Sequence, residues 1–349
     1  MSKRVVNILV PLISIVLGLI IGAIVMAVSG FNPMDGYIAL WNGIFMDTYT
    51  MGETVRQITP YVFAGLAVAF AFRTGLFNIG VEGQLIMGWL AAAYVGQAFE
   101  LPTFIHIPLA LLAAAAAGAL WAFIPGLLKA RLQVHEVIVT IMMNYIALHV
   151  ANALIEVISG GAERTPKIHE SASLRSEFFE SITDYSRMHW GFLIALLVVI
   201  LMWFILEKTT RGYELKAVGF NQHASQYAGM NVKKNIVLSM IISGAFAGLG
   251  GAMEALGTFE NMSKLHGFTG IGFDGIAVAL LGANQPFGVL LGAILFGSLK
   301  NGGLNMPSEA GVPVEVVSIV IALVIFFVAS GYIIRVALER FSKKKKEVK

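Results

Sequence analysis

Two short strings place acids where a hydrophobic chain has least use for them. The first, "RTGLFNIGVEGQ" (73–84), carries Asn78 and Glu82 among glycines directly after Arg73. The second, "GFTGIGFDGI" (267–276), repeats Gly, Ile-Gly, an acid and Gly 192 residues later, with Asp274 in the place of Glu82. Charged groups inside a bilayer cost a few kcal/mol or more, so they mark solute paths by default. On that reading Asn78, Glu82 and Asp274 meet a solute or satisfy freed backbone groups. The alternative is that Glu82 and Arg73 sit at the water interface or pair with each other, and Asp274 shares this choice. Asn144, in "TIMMNYIA", reads first as a hydrogen bond between helices, the commoner role of a lone membrane Asn. Glu254, in "GLGGAMEALG", reads as a solvated group near the outer end of its segment. Catalytic patterns are absent: His135-Glu136 has Val139 where H-E-x-x-H needs its second histidine, and there is no G-x-x-x-x-G-K phosphate loop. Neither a cofactor nor a metal is implied, and an intramembrane enzyme lacks its nucleophile–base constellation.

The chain that positions these residues has 349 residues, 57% hydrophobic and 13% charged. Soluble domains hold about 45–50% apolar and about 25% charged residues, so lipid is the main solvent here. There is no cysteine, which removes disulfides, thiol nucleophiles and cysteine metal sites. The net charge of +3 comes from basic loops and the Lys run 343–346, which suits a membrane surface and not nucleic acid. The apolar run 8–28 exceeds the roughly 7–15 residues of a signal core, predicting a retained first span. Stretches 8–28, 107–128, 137–158, 190–206, 235–257 and 316–337 approach or exceed the about 20 residues of a crossing helix. Shorter stretches at 60–72, 84–99, 270–282 and 286–299 bring the number to ten. Segment 60–72 either begins earlier, near Val55, or ends inside the membrane with 75–83 as its broken end. Such a break is tolerated only where protein buries it or a watery cavity receives it.

Charge placement favours ten spans over nine. With Lys3 and Arg4 inside, Lys129, Arg131 and the basic loop 207–234 also fall inside, and an even number returns the C-terminal lysines to the cytoplasm. Loop 159–189 is then outside. The repeat extends further: "LKARLQVHEVIVTIMMNYIA" (128–147) is echoed by "LKNGGLNMPSEAGVPVEVVSIVIALV" (299–324). Regions 60–158 and 235–338 therefore read as two inverted copies of a four-span unit within one membrane domain, an arrangement typical of transport folds. Loop 207–234 contains "ELKAVGFNQHASQYAGM" (214–230), in which Ala224, Tyr227, Ala228 and Met230 are spaced for one apolar face. That face calls for the bilayer surface or a partner's groove. An ion-gradient carrier also fits inverted repeats with membrane acids, but it has no need of such a loop.

Taken in order, "RTGLFNIGVEGQ", "HEVIVTIMMNYIA" (135–147), "KIHESASLRS" (167–176), "ELKAVGFNQHASQYAGM" and "GFDGIAVALLG" (272–282) resemble the permease subunits of bacterial ABC importers for ribose, branched-chain amino acids and nucleosides. The nucleoside members, guanosine-type included, are the most similar, and the resemblance covers essentially the whole chain. It implies an all-α membrane fold of about ten helices in two inverted repeats, like the vitamin B12 importer permeases, in a bacterial cell membrane with both termini cytoplasmic. It implies a separate cytoplasmic ATP-binding subunit, a second permease subunit and an extracytoplasmic substrate-binding lipoprotein. Loop 214–230, with Glu214, Gly219, Asn221, Ala224 and Gly229, would seat in the ATPase; His223-Ala224 stands where many relatives read Ala-Ala. A nucleoside is neutral and polar, making Phe77, Asn78 and Asn144 candidates for its path. A simple sugar such as ribose is the alternative cargo.

Overall fold

The computed structural model describes residues 3–330, with side chains from residue 13 onward except Ala329. The Lys run 343–346, the side chains of Lys3 and Arg4, and the end of candidate span 316–337 lie outside the described residues. Within them helices are the regular structure, joined by one isolated bridge between Arg164 and Ser263. In chain order they are α1 (Lys3–Val28), α2 (Pro33–Phe45), α3 (Thr48–Arg73), α4 (Val81–Ala98), α5 (Thr103–Leu132), α6 (Glu136–Ile158), α7 (Glu177–Ile182) and α8 (Gly191–Lys208). Then follow α9 (Thr210–Phe220), α10 (Gln222–Tyr227), α11 (Val232–Met253), α12 (Ile271–Leu281), α13 (Pro286–Gly303), α14 (Met306–Ala310) and α15 (Val314–Ala329). Helices α3, α5, α6, α8 and α11 with its π-turn extension to Thr258 are long and apolar enough to cross a membrane.

Among the described residues every predicted span falls on a helix. Segment 60–72 belongs to α3, which starts at Thr48 and carries Pro60 in its interior. The break at 75–83 therefore follows a helix of full crossing length. Helix α2 was not anticipated; Asn32 caps it and Pro33 opens it, which is ordinary start chemistry in a stretch too short and mixed to read as a span.

The chain forms two compact units. One combines the described residues 3–54 and 298–330. In it Gly18 and Gly22 of α1 pack against Val324 and Val320 of α15, and Asn301 donates to Gly43 O and Thr54 Oγ1 at 2.9 Å each.

The other unit, Val55–Gly297, is organised around α11. Helix α5 turns inward a stripe of six small residues spaced four apart, Ala110, Ala114, Gly118, Ala122, Gly126 and Ala130, all buried. On α11, Gly244 and Gly248 meet it. A methyl group on Gly118 would strike the Gly244 carbonyl and come within 2.9 Å of the Gly248 backbone. Helix α4 meets α11 as closely: Gly251 rests against the Leu85 carbonyl of α4, and Gly88 meets Gly248. Lipid offers no hydrophobic drive between helices, so this close backbone approach supplies the packing attraction. Gly248→Leu should cost at least the roughly 1–3 kcal/mol of overpacking. The solubilised variant should lose its monodisperse elution and its melting transition, whereas Leu120→Ala on the exposed face of α5 should keep both. A Gly248→Leu chain that melts like the parent would contradict this packing.

Candidate functional site

Helix α3 stops at Arg73, and the chain turns through Thr74 and Gly75, the latter at φ +78°, before α4 begins at Val81. The backbone between them is broken beside apolar helices, so its polar groups need partners from the protein. Side chains supply them. Asn78 is fully buried; its Nδ2 donates to Gln84 Oε1 (2.9 Å) and Ser243 Oγ (2.8 Å), and its Oδ1 accepts from Gly80 N (3.0 Å) and Gln84 Nε2 (3.1 Å). Ser243 hands the network on to Ala67 O at 2.6 Å. Asn144 of α6, also buried, accepts from Gly83 N (2.8 Å) and donates to Ile79 O (3.0 Å). The interhelical role expected of Asn144 is what it performs, with a broken loop as its partner. Thr74 closes the near end by a hydrogen bond to Ser239 of α11.

Glu82 joins the two matched strings directly. Its carboxylate is fully buried and accepts from Thr269 Oγ1 (2.7 Å), Gly270 N (3.0 Å) and Gly272 N (2.7 Å). The last three groups form the N-terminus of α12, so an acid in the first turn of α4 caps another helix and complements the positive end of its dipole. Gly272 has no space for a side chain, since a methyl there would meet the Glu82 backbone. Asp274, in the first turn of α12, is half-buried with the Tyr61 hydroxyl at 3.4 Å. Phe77 is half-buried and stacks on Phe72 with ring centres 4.8 Å apart.

One open alternative is ruled out and one sequence reading is corrected. Arg73 pairs with Glu207 at 2.8 Å and not with Glu82. Glu254 is buried within the π turn Glu254–Thr258, facing the charges of Arg56 and Arg187, and is not solvated. The loop that follows is held by Glu260, which pairs with Lys167 (3.0 Å) and accepts from Ser173 Oγ (2.8 Å). Burial pushes the Glu260 carboxyl up, but Lys167, Ser173 and Arg175 together hold it below the usual carboxylate range. Through these contacts the segment 167–175 is stitched to the end of α11.

Loop 207–234 folds as two helices where one apolar-faced helix was expected. Asn221 divides them, ending α9 and capping α10 by accepting from Ala224 N at 3.0 Å. The inward face of α9 buries Leu215 and Val218, and Val218 shares an apolar cluster with Leu76 of the break and Met240 of α11. Gly219 lies against the break itself: a methyl on it would stand 2.7 Å from the Thr74 carbonyl carbon. Glu207 adds a polar tie, bonded to both Arg73 and Lys216 at 2.8 Å. The outward face is bare and aromatic, with Phe220 91%, Tyr227 95% and Tyr213 66% exposed; Ala224 and Gly229 are exposed beside them. Glu214 is half-buried, accepting from Arg211 (3.0 Å) and Asn235 (3.3 Å). Gln84, Ser239, Ser243 and Thr269 complete the site without having been singled out in the sequence. Gln84 and Thr269 carried a local signal, their places in the two glycine-rich strings, and Ser239 and Ser243 carried none.

Replacing Glu82 by Ala leaves three donors without their acceptor, at roughly 1–3 kcal/mol for each buried unsatisfied group. The solubilised variant should melt well below the parent, with Glu82→Gln intermediate because one acceptor oxygen survives. Unchanged melting together with lost transport would assign Glu82 to the solute and not to the helix cap.

Residues 50–329 match the family described as branched-chain amino acid transport system / permease component. The chain is 66% identical to the guanosine ABC transporter permease protein NupP of Bacillus subtilis (strain 168), over 99% of both chains. It is 39% identical to the nucleoside ABC transporter permease protein NupB of Lactococcus lactis subsp. cremoris, over 97% of this chain and 95% of that one. A second B. subtilis protein, the guanosine ABC transporter permease protein NupQ, is 28% identical over 74% of this chain and 84% of its own. With its long apolar helices and full-length match, the chain belongs to the permease components of ABC transporters, as a multi-pass membrane subunit and not an enzyme.

Proposed function

We propose that the chain is the permease of a nucleoside importer, guanosine included, driven by a separate cytoplasmic ATPase. The similarity to a guanosine permease along 99% of both chains carries this reading. A second permease of the kind found beside that relative would complete the pore, and a lipoprotein would deliver the solute. In this reading ten helices cross the membrane, α1, α3, α4, α5, α6, α8, α11, α12, α13 and α15, as in the vitamin B12 importer permeases, and the termini are cytoplasmic. The inverted halves are supported by a shared succession: α3, a glycine-bearing break and α4 with Glu82 in its first turn, against α11, a loop and α12 with Asp274 in its first turn. Helix ends rich in Arg73, Lys129, Arg131, Lys208 and Lys216 favour the inside for loop 207–234 and hence the outside for 159–189.

The bare aromatic face of α9 and α10 suits docking into a groove of the ATPase, with Asn221, Ala224 and Gly229 shaping it and Glu214 supporting its base. Gly219 has a different task. It passes displacement of α9 to the break at 74–80, whose Leu76 and Thr74 are packed against the same elements. Among the residues proposed for the path, Asn78, Glu82 and Asn144 hold its wall, while half-buried Phe77 and Asp274 are offered to a neutral polar solute.

Three outcomes test this. In vesicles containing the permease pair, ATPase and lipoprotein, radiolabelled guanosine uptake should require ATP and resist ionophores; uptake without ATP, or its collapse under ionophore at constant ATP, would contradict the reading. Phe220→Asp with Tyr227→Asp should leave insertion intact and release the ATPase on purification. Gly219→Ala should keep the ATPase bound yet slow uptake, since closing a 2.7 Å approach forces α9 off the break. If that variant transports normally, the contact does not transmit motion.

A further inference from the structure

The cytoplasmic-loop ends of α5 and α11 enclose a groove of about 510 Å³ that the transport reading does not use. One wall is apolar, from Leu127 on α5 and Val237 and Leu238 on α11; the rim carries Arg131, Lys233 and Lys234. All three cations are exposed, and no carboxylate among the described residues stands within ion-pair distance of them. The nearby acids are engaged elsewhere, Glu136 by Lys129 at 2.8 Å and Glu214 by Arg211 at 3.0 Å. Lys233 and Lys234 also occupy the first turn of α11, which contains no acid. Asn231 caps this start by accepting from Lys234 N at 3.0 Å, and the two cations beside the positive end of the helix dipole make an anion favourable there.

We infer that this groove binds an anionic phospholipid, its phosphodiester among Arg131, Lys233 and Lys234 and its acyl chains along the apolar wall. A free phosphate would satisfy the rim alone. The lipid is favoured because the groove adjoins the outer face of α5, where Leu112, Leu120 and Phe123 are exposed and apolar. Basic pockets between membrane helices at the cytoplasmic surface take such headgroups. The inference is independent of which solute the permease carries.

Native mass spectrometry of the full chain in detergent tests it, with dioleoyl-phosphatidylglycerol, dioleoyl-phosphatidylcholine and inorganic phosphate as separate probes. The phosphatidylglycerol adduct should dominate. At roughly fivefold per removed cation, Arg131→Gln with Lys233→Gln and Lys234→Gln should weaken it about a hundredfold, and the Lys233→Gln/Lys234→Gln pair about twenty-five-fold. The charge-preserving Arg131→Lys/Lys233→Arg/Lys234→Arg chain should retain it. If the triple glutamine chain does not fold, the pair gives the deciding reading. Equal binding of phosphatidylcholine, displacement of the lipid by millimolar phosphate alone, or full retention by the glutamine variants would each overturn the assignment.

Discussion

A backbone break next to membrane-spanning helices must have every polar group answered from within the protein, because lipid answers none. The segment 74–80 meets this demand with buried amides and one carboxylate. Asn78 and Gln84 exchange hydrogen bonds, Asn144 holds Ile79 O and Gly83 N, and Glu82 reaches across to cap α12. Each of these side chains spends its polar atoms on backbone, on another amide or on a neighbouring hydroxyl. The result is a polar knot that fixes α4, α6, α11 and α12 to one another at a single place. Small residues then let α5 and α11 close around it, since any side chain at Gly118 or Gly248 would hold the backbones apart.

Rigidity at the break matters for what touches it. Helix α9 is anchored beneath by Val218 in the cluster with Leu76, by Gly219 against Thr74, and by Glu207 between Arg73 and Lys216. Exposed ion pairs contribute little by themselves; the backbone contact and the buried cluster carry the attachment. A force applied to the bare aromatic face of α9 and α10 thus reaches the break through packed groups, without a flexible linker between them. Under the proposed function, that path is the connection by which a separate ATPase would drive alternating access.

Much of this was legible in the sequence. Hydropathy located each helix that matched a predicted span, and the paired strings pointed to the region where Glu82 meets α12. Period and composition did not reveal α2, whose 13 residues are shorter than a span. Nor could they show what Glu82 bonds to: capping a helix 187 to 190 residues away is a tertiary fact with no local signature. The same limit explains Arg73, which found Glu207 from α8, and Glu254, whose place near a segment end suggested water until the π turn buried it. Gly219 was legible as part of a docking loop, but its inward direction depends on the turn at Asn221, where one expected helix becomes two.

In the proposed mechanism the break and α9 move together, and the absence of cysteine makes that directly measurable. Phe72 and Lys216, neither of them in the proposed docking face, line one small cleft between the end of α3 and α9. With both replaced by cysteine and joined by a short thiol cross-linker in the assembled transporter, ATP-driven guanosine uptake should continue close to the rate of the unlinked chain. Arrested uptake in the cross-linked transporter, with ATPase binding intact, would show that the two segments must separate during transport and would contradict the account.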